Sequence, residues 1–340
     1  MILKVSEDVH LIEAEAFTNM KSLRLLQIND VHLKGSYEHL SKKLRWLCWH
    51  KCHLKCLPHN FHLENLVVLD MQYSNVEQVW EKNKILNKLK VLNLSNSKRL
   101  TKSLDFCQVP KLEILVLEGC TSLVEIHESI GCLKNLVLLN LKGCKSLMNL
   151  PSSISNLESL KTLNLSDCLK VDKLPDQVGS MMALTELLAD GIAIKQLPSS
   201  FGLLKNLEVA SLSGRKEQSS KSWLSLLSSL MSPKSLNPVC FLPPFVSGLR
   251  SLTALHLSGR NLSEDGFPVD FGNLSSLQFL DLSRNNFRNL PDCIGCLPKL
   301  YNLHLQECTN LQSISGVFTS VGLLDTSDCT SMERLNFVEP

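Results

Sequence analysis

The sequence predicts an α/β solenoid: a curved stack of parallel strands with short helical or 3₁₀ turns on its outer side. Three observations carry this prediction. Leu112, Leu136 and Leu160 open segments that recur at 24 residues twice over. Each segment reads LxxLxLxxC and ends on one cysteine, Cys120, Cys144 or Cys168. Between successive segments the chain repeatedly reads LPxxIxxLxxL, as in LPSSISNLESL. A fixed period in this range marks a stack of identical units, each unable to bury its own apolar face.

The spacing has a physical cause. In a short strand, side chains alternate between two faces. Leu139 and Leu141 therefore point inward while Leu138, Asn140 and Lys142 point out, and Leu136 fills the corner before the strand. The ladder cysteine sits where the chain turns away, placed to hydrogen-bond backbone groups that the turn frees. Stacking at about 4.8 Å builds a continuous leucine core. This is the leucine-rich repeat. The predicted array is one domain over residues 1–340 with about thirteen repeats, about 60 Å along the ladder, with a parallel strand face on the concave side.

Taken in order, a first unit spans Phe17 to Leu33, with Leu23, Leu26, Ile28 and Val31 inward. Openings follow at Leu44, Leu66 and Leu89, giving spacings of 21, 22, 23 and 23 up to Leu112. After the central three come Leu184 and Leu207. The next clear opening is Leu252, a gap of 45. Residues 213–250 hold an irregular, serine-rich insertion, read either as an excursion looping out of the array with a short helix packed back on it or as a mobile contact element for a partner. Regularity returns at Leu252, Leu277 and Leu300, and a weak last unit, Val321/Leu324/Thr326/Cys329, reads as a fraying end. In the LPxxI segments, proline sets chain direction and Ser152 or Ser153 is placed to cap a short turn.

Composition narrows the function classes. A net charge of +2 and the lack of a basic run argue against nucleic acid and membrane partners. The first residues, with Glu7 and Asp8, form neither a signal peptide nor a membrane span. Six of the thirteen cysteines, Cys52, Cys120, Cys144, Cys168, Cys308 and Cys329, occupy the ladder position, so the chain reads as reduced and intracellular. No GxxxxGK[ST], HExxH or GxSxG occurs, and no cofactor or enzymatic role is expected. CIGC at Cys293 and Cys296 lies in a packing segment and is read as structural. His32, His39, His50, His53, His59 and His62 are expected at rims and surfaces, with no metal site. The NLS triplets at Asn93, Asn164, Asn261 and Asn273 are read as products of the repeat consensus.

What remains is the outward strand face. The repeat frame assigns to it Arg45, Trp46, Cys48, His50 and Lys51, then Asp70, Gln72 and Tyr73. Further along it assigns Gln278, Asp281 and Arg284, then Tyr301, His304, Gln306 and Glu307. Aromatic and arginine side chains are the usual anchors of protein recognition. The candidate protein-binding residues are therefore Trp46, His50, Tyr73, Arg284, Tyr301, His304 and Glu307.

Several stretches carry a family resemblance: AEAFTNMKSLRLLQI, LRWLCWHKCHLKCLPHNFHLENLVVLDMQYSNVEQVWEKNK, the LxGCxSLxxLPSSIxxLxSLxxLNLSDC run, and LPSSFGLLKNLEVASLSG. The LRWLxWxxxxLKxLPxNF portion is the most specific. Nearly the whole chain resembles the repeat region of plant intracellular immune receptors that also carry a Toll/interleukin-1-receptor-like domain and a nucleotide-binding domain. The resemblance implies a cytoplasmic or nuclear recognition module that senses a pathogen effector or a host guardee. It also implies that the repeats hold the nucleotide-binding domain of the parent receptor inactive. Neither companion domain is in this sequence, so the chain itself is not expected to bind nucleotide or cleave NAD. A ubiquitin-ligase substrate adaptor would need an F-box-like start, and a secreted receptor ectodomain would need paired cap cysteines and GxIP in the repeats. Neither feature is found.

Overall fold

A computed structural model describes residues 2–4, 11–80, 84–215, 246–316 and 320–337. Its contacts divide the chain into two compact units, Met1–Ala193 and Ile194–Pro340. Residues 216–245, the main part of the serine-rich insertion, lie outside the described residues.

In the first unit, nine strands stack in parallel: Ile2–Lys4, Leu25–Asn29, Trp46–His50, Val68–Asp70, Val91–Asn93, Ile114–Val116, Leu138–Asn140, Thr162–Asn164 and Glu186–Leu188. The register aligns one leucine per rung: Leu3, Leu26, Leu47, Leu69, Leu92, Leu115, Leu139, Leu163 and Leu187. From Leu26 to Leu187 these leucines are fully buried. A second buried row, two residues on, runs Ile28, Trp49, Met71, Leu94, Leu117, Leu141, Leu165 and Ala189. The Trp49 indole N–H, deep in this row, donates to the Val31 carbonyl at 3.1 Å, which satisfies its polar atom.

The ladder starts earlier than the repeat frame indicated. Ile2–Lys4 pairs with Leu25–Gln27 ahead of the first unit read at Phe17. A three-residue strand without a following LxL frame carries too little pattern to be seen in the sequence.

The second unit has its own parallel ladder: Val209–Ser211, Ala254–His256, Phe279–Asp281, Asn302–His304 and Leu323–Asp325. Ala210, Leu255, Leu280, Leu303 and Leu324 are aligned. Val209 pairs directly with Ala254, so the ladder passes from residue 211 to residue 254 without an intervening rung. Leu324 is only half-buried and Leu323 is 45 % exposed, so the spine is uncovered at the last rung, as its weak repeat pattern foretold.

The ladder position behaves as its chemistry requires. Five of the six ladder thiols reach back to a carbonyl of the preceding repeat: Cys120 to Leu94, Cys144 to Leu117, Cys168 to Leu141, Cys308 to Leu282 and Cys329 to Leu305, at 3.0–3.4 Å. Ser97 Oγ donates to Met71 and Asn285 Nδ2 to Leu257 from the same place. Burial, the largest cause, raises the Cys120 and Cys168 thiols to about 12 and Cys144 further still.

Among the described residues the helical turns between strands are all 3₁₀, and none is α-helical. Pro151, Pro198, Pro268 and Pro291 each precede one, and the third residue after each proline, Ile154, Phe201, Phe271 or Ile294, is buried. The turn after Pro151, where Ser152 or Ser153 was expected to cap, has no side-chain cap hydrogen bond. Ser153 Oγ instead donates to the Glu128 carbonyl of the neighbouring repeat at 2.6 Å. Adjacent turns come so close that a Cβ on Gly131 would meet the Ser153 carbonyl at 2.6 Å, so glycine is required there. No described helix is long and apolar enough to cross a membrane.

Two outcomes follow. Leu139→Ala should cost about 2–5 kcal/mol in a denaturant titration, because the spine on either side cannot collapse into the gap. Native iodoacetamide labelling at mildly alkaline pH, read by peptide mass spectrometry, should modify the exposed Cys132 and Cys296. Cys120, Cys144 and Cys168 should react only after unfolding.

Candidate functional site: the outward strand face

Each rung ends in the same local device. The last outward residue of many strands is Asn or Asp, and its side chain accepts the backbone N–H two residues on. Asn93 does so to Ser95, Asn164 to Ser166, Asp281 to Ser283 and Asp325 to Ser327, at 2.9–3.0 Å. This local turn accounts for the NLS triplets at Asn93 and Asn164. Three positions past that Asn or Asp, the backbone enters the left-handed region: Asn96, Asp167, Arg284 and Asp328 all have φ near +60°. Gly119, Gly143, Gly191 and Gly259 occupy the equivalent place in other repeats. The amide there continues the ladder, as Tyr73 N–H to Ser95 O and Arg284 N–H to Gln306 O, both 2.8 Å.

Three of the seven candidate residues stand at this left-handed position: Tyr73 (φ +58°), Arg284 (+56°) and Glu307 (+57°). Glycine, asparagine and aspartate take this conformation at least cost; a tyrosine there costs about 1 kcal/mol. Tyr73 is 58 % exposed, so it recovers little of this by burial. Arg284 is tethered: its guanidinium donates to Ser258 Oγ at 2.9 and 3.2 Å, which holds its charge along the face. Glu307 is exposed.

The remaining four divide by position. Trp46 and His50 lie half-buried on one strand. His304 ends the strand Asn302–His304. Tyr301 precedes that strand and sits at its leading edge, 58 % exposed, with its ring laid over Gly322 so closely that no Cβ would fit there.

To His304 the structure adds two residues that the repeat frame passed over, His256 and Phe279. His256, Phe279 and His304, from three successive rungs, form a continuous run of rings. Their centroids are 4.8 and 5.0 Å apart at tilts of 35° and 37°. Strand alternation around Leu280 places Phe279 outward, and an aromatic in an otherwise polar-out position was the available signal. Beside the run, Asp325 lies opposite His304 in register. Hydrogen bonds from Ser327 and Gln306, with the His304 ring adding, hold its carboxyl below the usual range.

One outward assignment is corrected. Cys48 is 3 % exposed rather than solvent-facing, because His50 and Asp70 close over it. Burial first, then the neighbouring Asp70, push its thiol up to about 11. Elsewhere in the histidine-rich stretch the rings are at the rim. His53 pairs with Asp30 at 3.4 Å and stacks on His32, and His39 and His62 pair with Glu15 and Glu64 at 3.5 Å.

Comparison with known proteins agrees with this geometry. A model described as a leucine-rich repeat region matches residues 100–240, and a leucine-rich repeat model matches residues 276–297. The chain is 32% identical to TMV resistance protein N of Nicotiana glutinosa, over 88% of this chain and 31% of that protein. It is 33% identical to disease resistance-like protein DSC1 of Arabidopsis thaliana, over 95% of this chain and 31% of that protein. Over most of its length the chain is similar to the leucine-rich-repeat regions of plant disease resistance proteins. It spans about a third of the length of these curated relatives. Among solved structures, the leucine-rich-repeat ectodomain of the Arabidopsis thaliana receptor kinase GASSHO1/SCHENGEN3 aligns with a TM-score of 0.59. That alignment has 19% identity and covers 96% of this chain and 41% of that one, a likeness of fold alone.

In these resistance-type repeats the left-handed residues separate surface from scaffold. Tyr73→Gly should change unfolding free energy by less than about 1 kcal/mol, because relieved strain offsets the added unfolded-state entropy. A denaturation curve shifted by as much as that of Leu139→Ala would show the Tyr73 ring to be structural.

Proposed function

We propose that this chain is a non-catalytic recognition domain of a plant intracellular immune receptor, acting in the cytoplasm or nucleus. In this reading the whole chain serves as one domain. The face bearing Trp46, His50 and Tyr73 meets the nucleotide-binding domain of the parent receptor and helps to keep it inactive. The face bearing Arg284, Tyr301, His304 and Glu307 receives a pathogen effector or a host protein that the effector alters.

The observation that carries the proposal is the ring run His256–Phe279–His304 with Tyr301 beside it. A polar-out strand face has no structural need for stacked rings on its solvent side, and rigid aromatic groups with polar edges are what protein interfaces use. The sequence kinship with disease resistance proteins supplies the biological setting. Flanking polar groups such as the Arg284 guanidinium and the Asp325 carboxylate give such a face register and orientation.

The test is a double replacement, Tyr301→Ala with His304→Ala, in the receptor that carries these repeats, expressed in leaf tissue. Both side chains lie outside the leucine spine, so protein accumulation should match wild type while the effector-triggered response is lost. A response of undiminished strength would sink the assignment of this face.

A further inference from the structure

The sequence pointed to no metal, since binding needs a convergent geometry and the N-terminal histidines were expected at rims and surfaces of successive repeats. The strand register supplies what spacing lacks. Cys48 and His50 are two residues apart on one strand, so they project from the same face. Asp70 lies directly opposite Cys48 on the next strand. Their donor atoms converge: Cys48 Sγ is 3.2 Å from His50 Nε2, and His50 Nε2 is 3.3 Å from Asp70 Oδ1. All three atoms lie within 4.8 Å of one another.

We propose that Cys48, His50 and Asp70 form a zinc site, with a fourth position open on the outward face. Zinc–ligand distances of about 2.3 Å to sulfur and about 2.0–2.2 Å to nitrogen and oxygen place neighbouring donors of a tetrahedron about 3.4–3.6 Å apart. The Cys48–His50 and His50–Asp70 separations are within a few tenths of an ångström of that, and the third pair, Cys48 and Asp70, lies within 4.8 Å. The carboxylate is the second, independent sign. Asp70 Oδ1 is fully buried and has no hydrogen-bond partner among the described residues, although the imidazole nitrogen is within ion-pair distance. Its sister oxygen is held by Gln72 Nε2 at 3.3 Å, which fixes the carboxyl plane. An acceptor buried without a hydrogen bond costs about 1–3 kcal/mol, and a cation between it and the imidazole nitrogen would satisfy both.

The donor set selects the metal. Thiolate, imidazole and carboxylate together suit zinc and its spectroscopic substitute cobalt, and disfavour magnesium and calcium, which require oxygen ligands. On binding, the Cys48 S–H bond breaks, its proton leaves to solvent, and sulfur donates the freed pair to the metal with no change of oxidation state. The His50 and Asp70 side chains are 29% and 23% exposed, so the fourth position faces solvent and takes a water. The same trio is not a nucleophilic triad. In a triad the carboxylate holds the imidazole nitrogen remote from the nucleophile, whereas here sulfur and carboxylate face the same Nε2.

The experiment uses the full chain, stripped with a chelator and titrated with Co²⁺ under reducing conditions. Wild type should take up one equivalent and develop a sulfur-to-cobalt charge-transfer band with visible d–d bands of tetrahedral strength, which Zn²⁺ then bleaches. Cys48→Ala should abolish the charge-transfer band. The near-isosteric Asp70→Asn and the variant His50→Ala should each weaken Zn²⁺ competition about tenfold or more, with circular dichroism melts in chelator reporting that the fold persists. Replacing Cys293 and Cys296 together should leave the band intact. No band in wild type, or a band that survives Cys48→Ala, overturns the proposal. Neither result bears on the partner face at Tyr301 and His304.

Discussion

One repeat cannot bury its own leucines, and everything else in this chain depends on that. A strand of three residues with one inward leucine exposes nearly as much apolar surface as it hides. Alignment of Leu26, Leu47, Leu69, Leu92, Leu115, Leu139, Leu163 and Leu187 across consecutive rungs turns many inadequate units into one continuous core. The parallel register is what makes this work. A slip of one residue would carry each inward leucine to the polar face.

That constraint divides each repeat into fixed and free positions. The leucines, the ladder cysteine and the left-handed turn are fixed by packing and by backbone hydrogen bonds. The ladder cysteines show how tightly: a buried thiol earns its place by answering a carbonyl of the preceding repeat. Outward strand positions carry no such duty. They are where a resistance-type repeat differs from its neighbours in charge, size and aromaticity without loss of fold. The rings of His256, Phe279 and His304 and the trio Cys48, His50 and Asp70 are both made from these free positions, in different units of the chain.

The left-handed position lies on the border between the two classes. Its backbone is fixed, yet its side chain is directed away from the core. Placing Tyr73, Arg284 and Glu307 there, where glycine stands in other repeats, accepts strain in exchange for a projecting group. Arg284 shows the outcome when such a group is also anchored, with both its hydrogen bonds going to Ser258 of the repeat before it.

The sequence by itself determined the repeat frame, the inward leucines, the buried ladder cysteines, the turns after LP and the kinship with resistance proteins. All of these are written at local spacings that a period exposes. It did not reveal the first rung at Ile2–Lys4, which has no LxL pattern, or the work of Ser153, which binds the adjacent repeat rather than its own turn. It also misjudged Cys48 and passed over Phe279. Only the tertiary structure decided which outward side chains meet. Cys48 and Asp70 are 22 residues apart in sequence yet share one register position, and Phe279 reaches His256 and His304 only across rungs. A period tells where each residue lies within its own repeat. Stacking brings corresponding positions of successive repeats within about 4.8 Å, and the chemistry of the face arises from that second spacing.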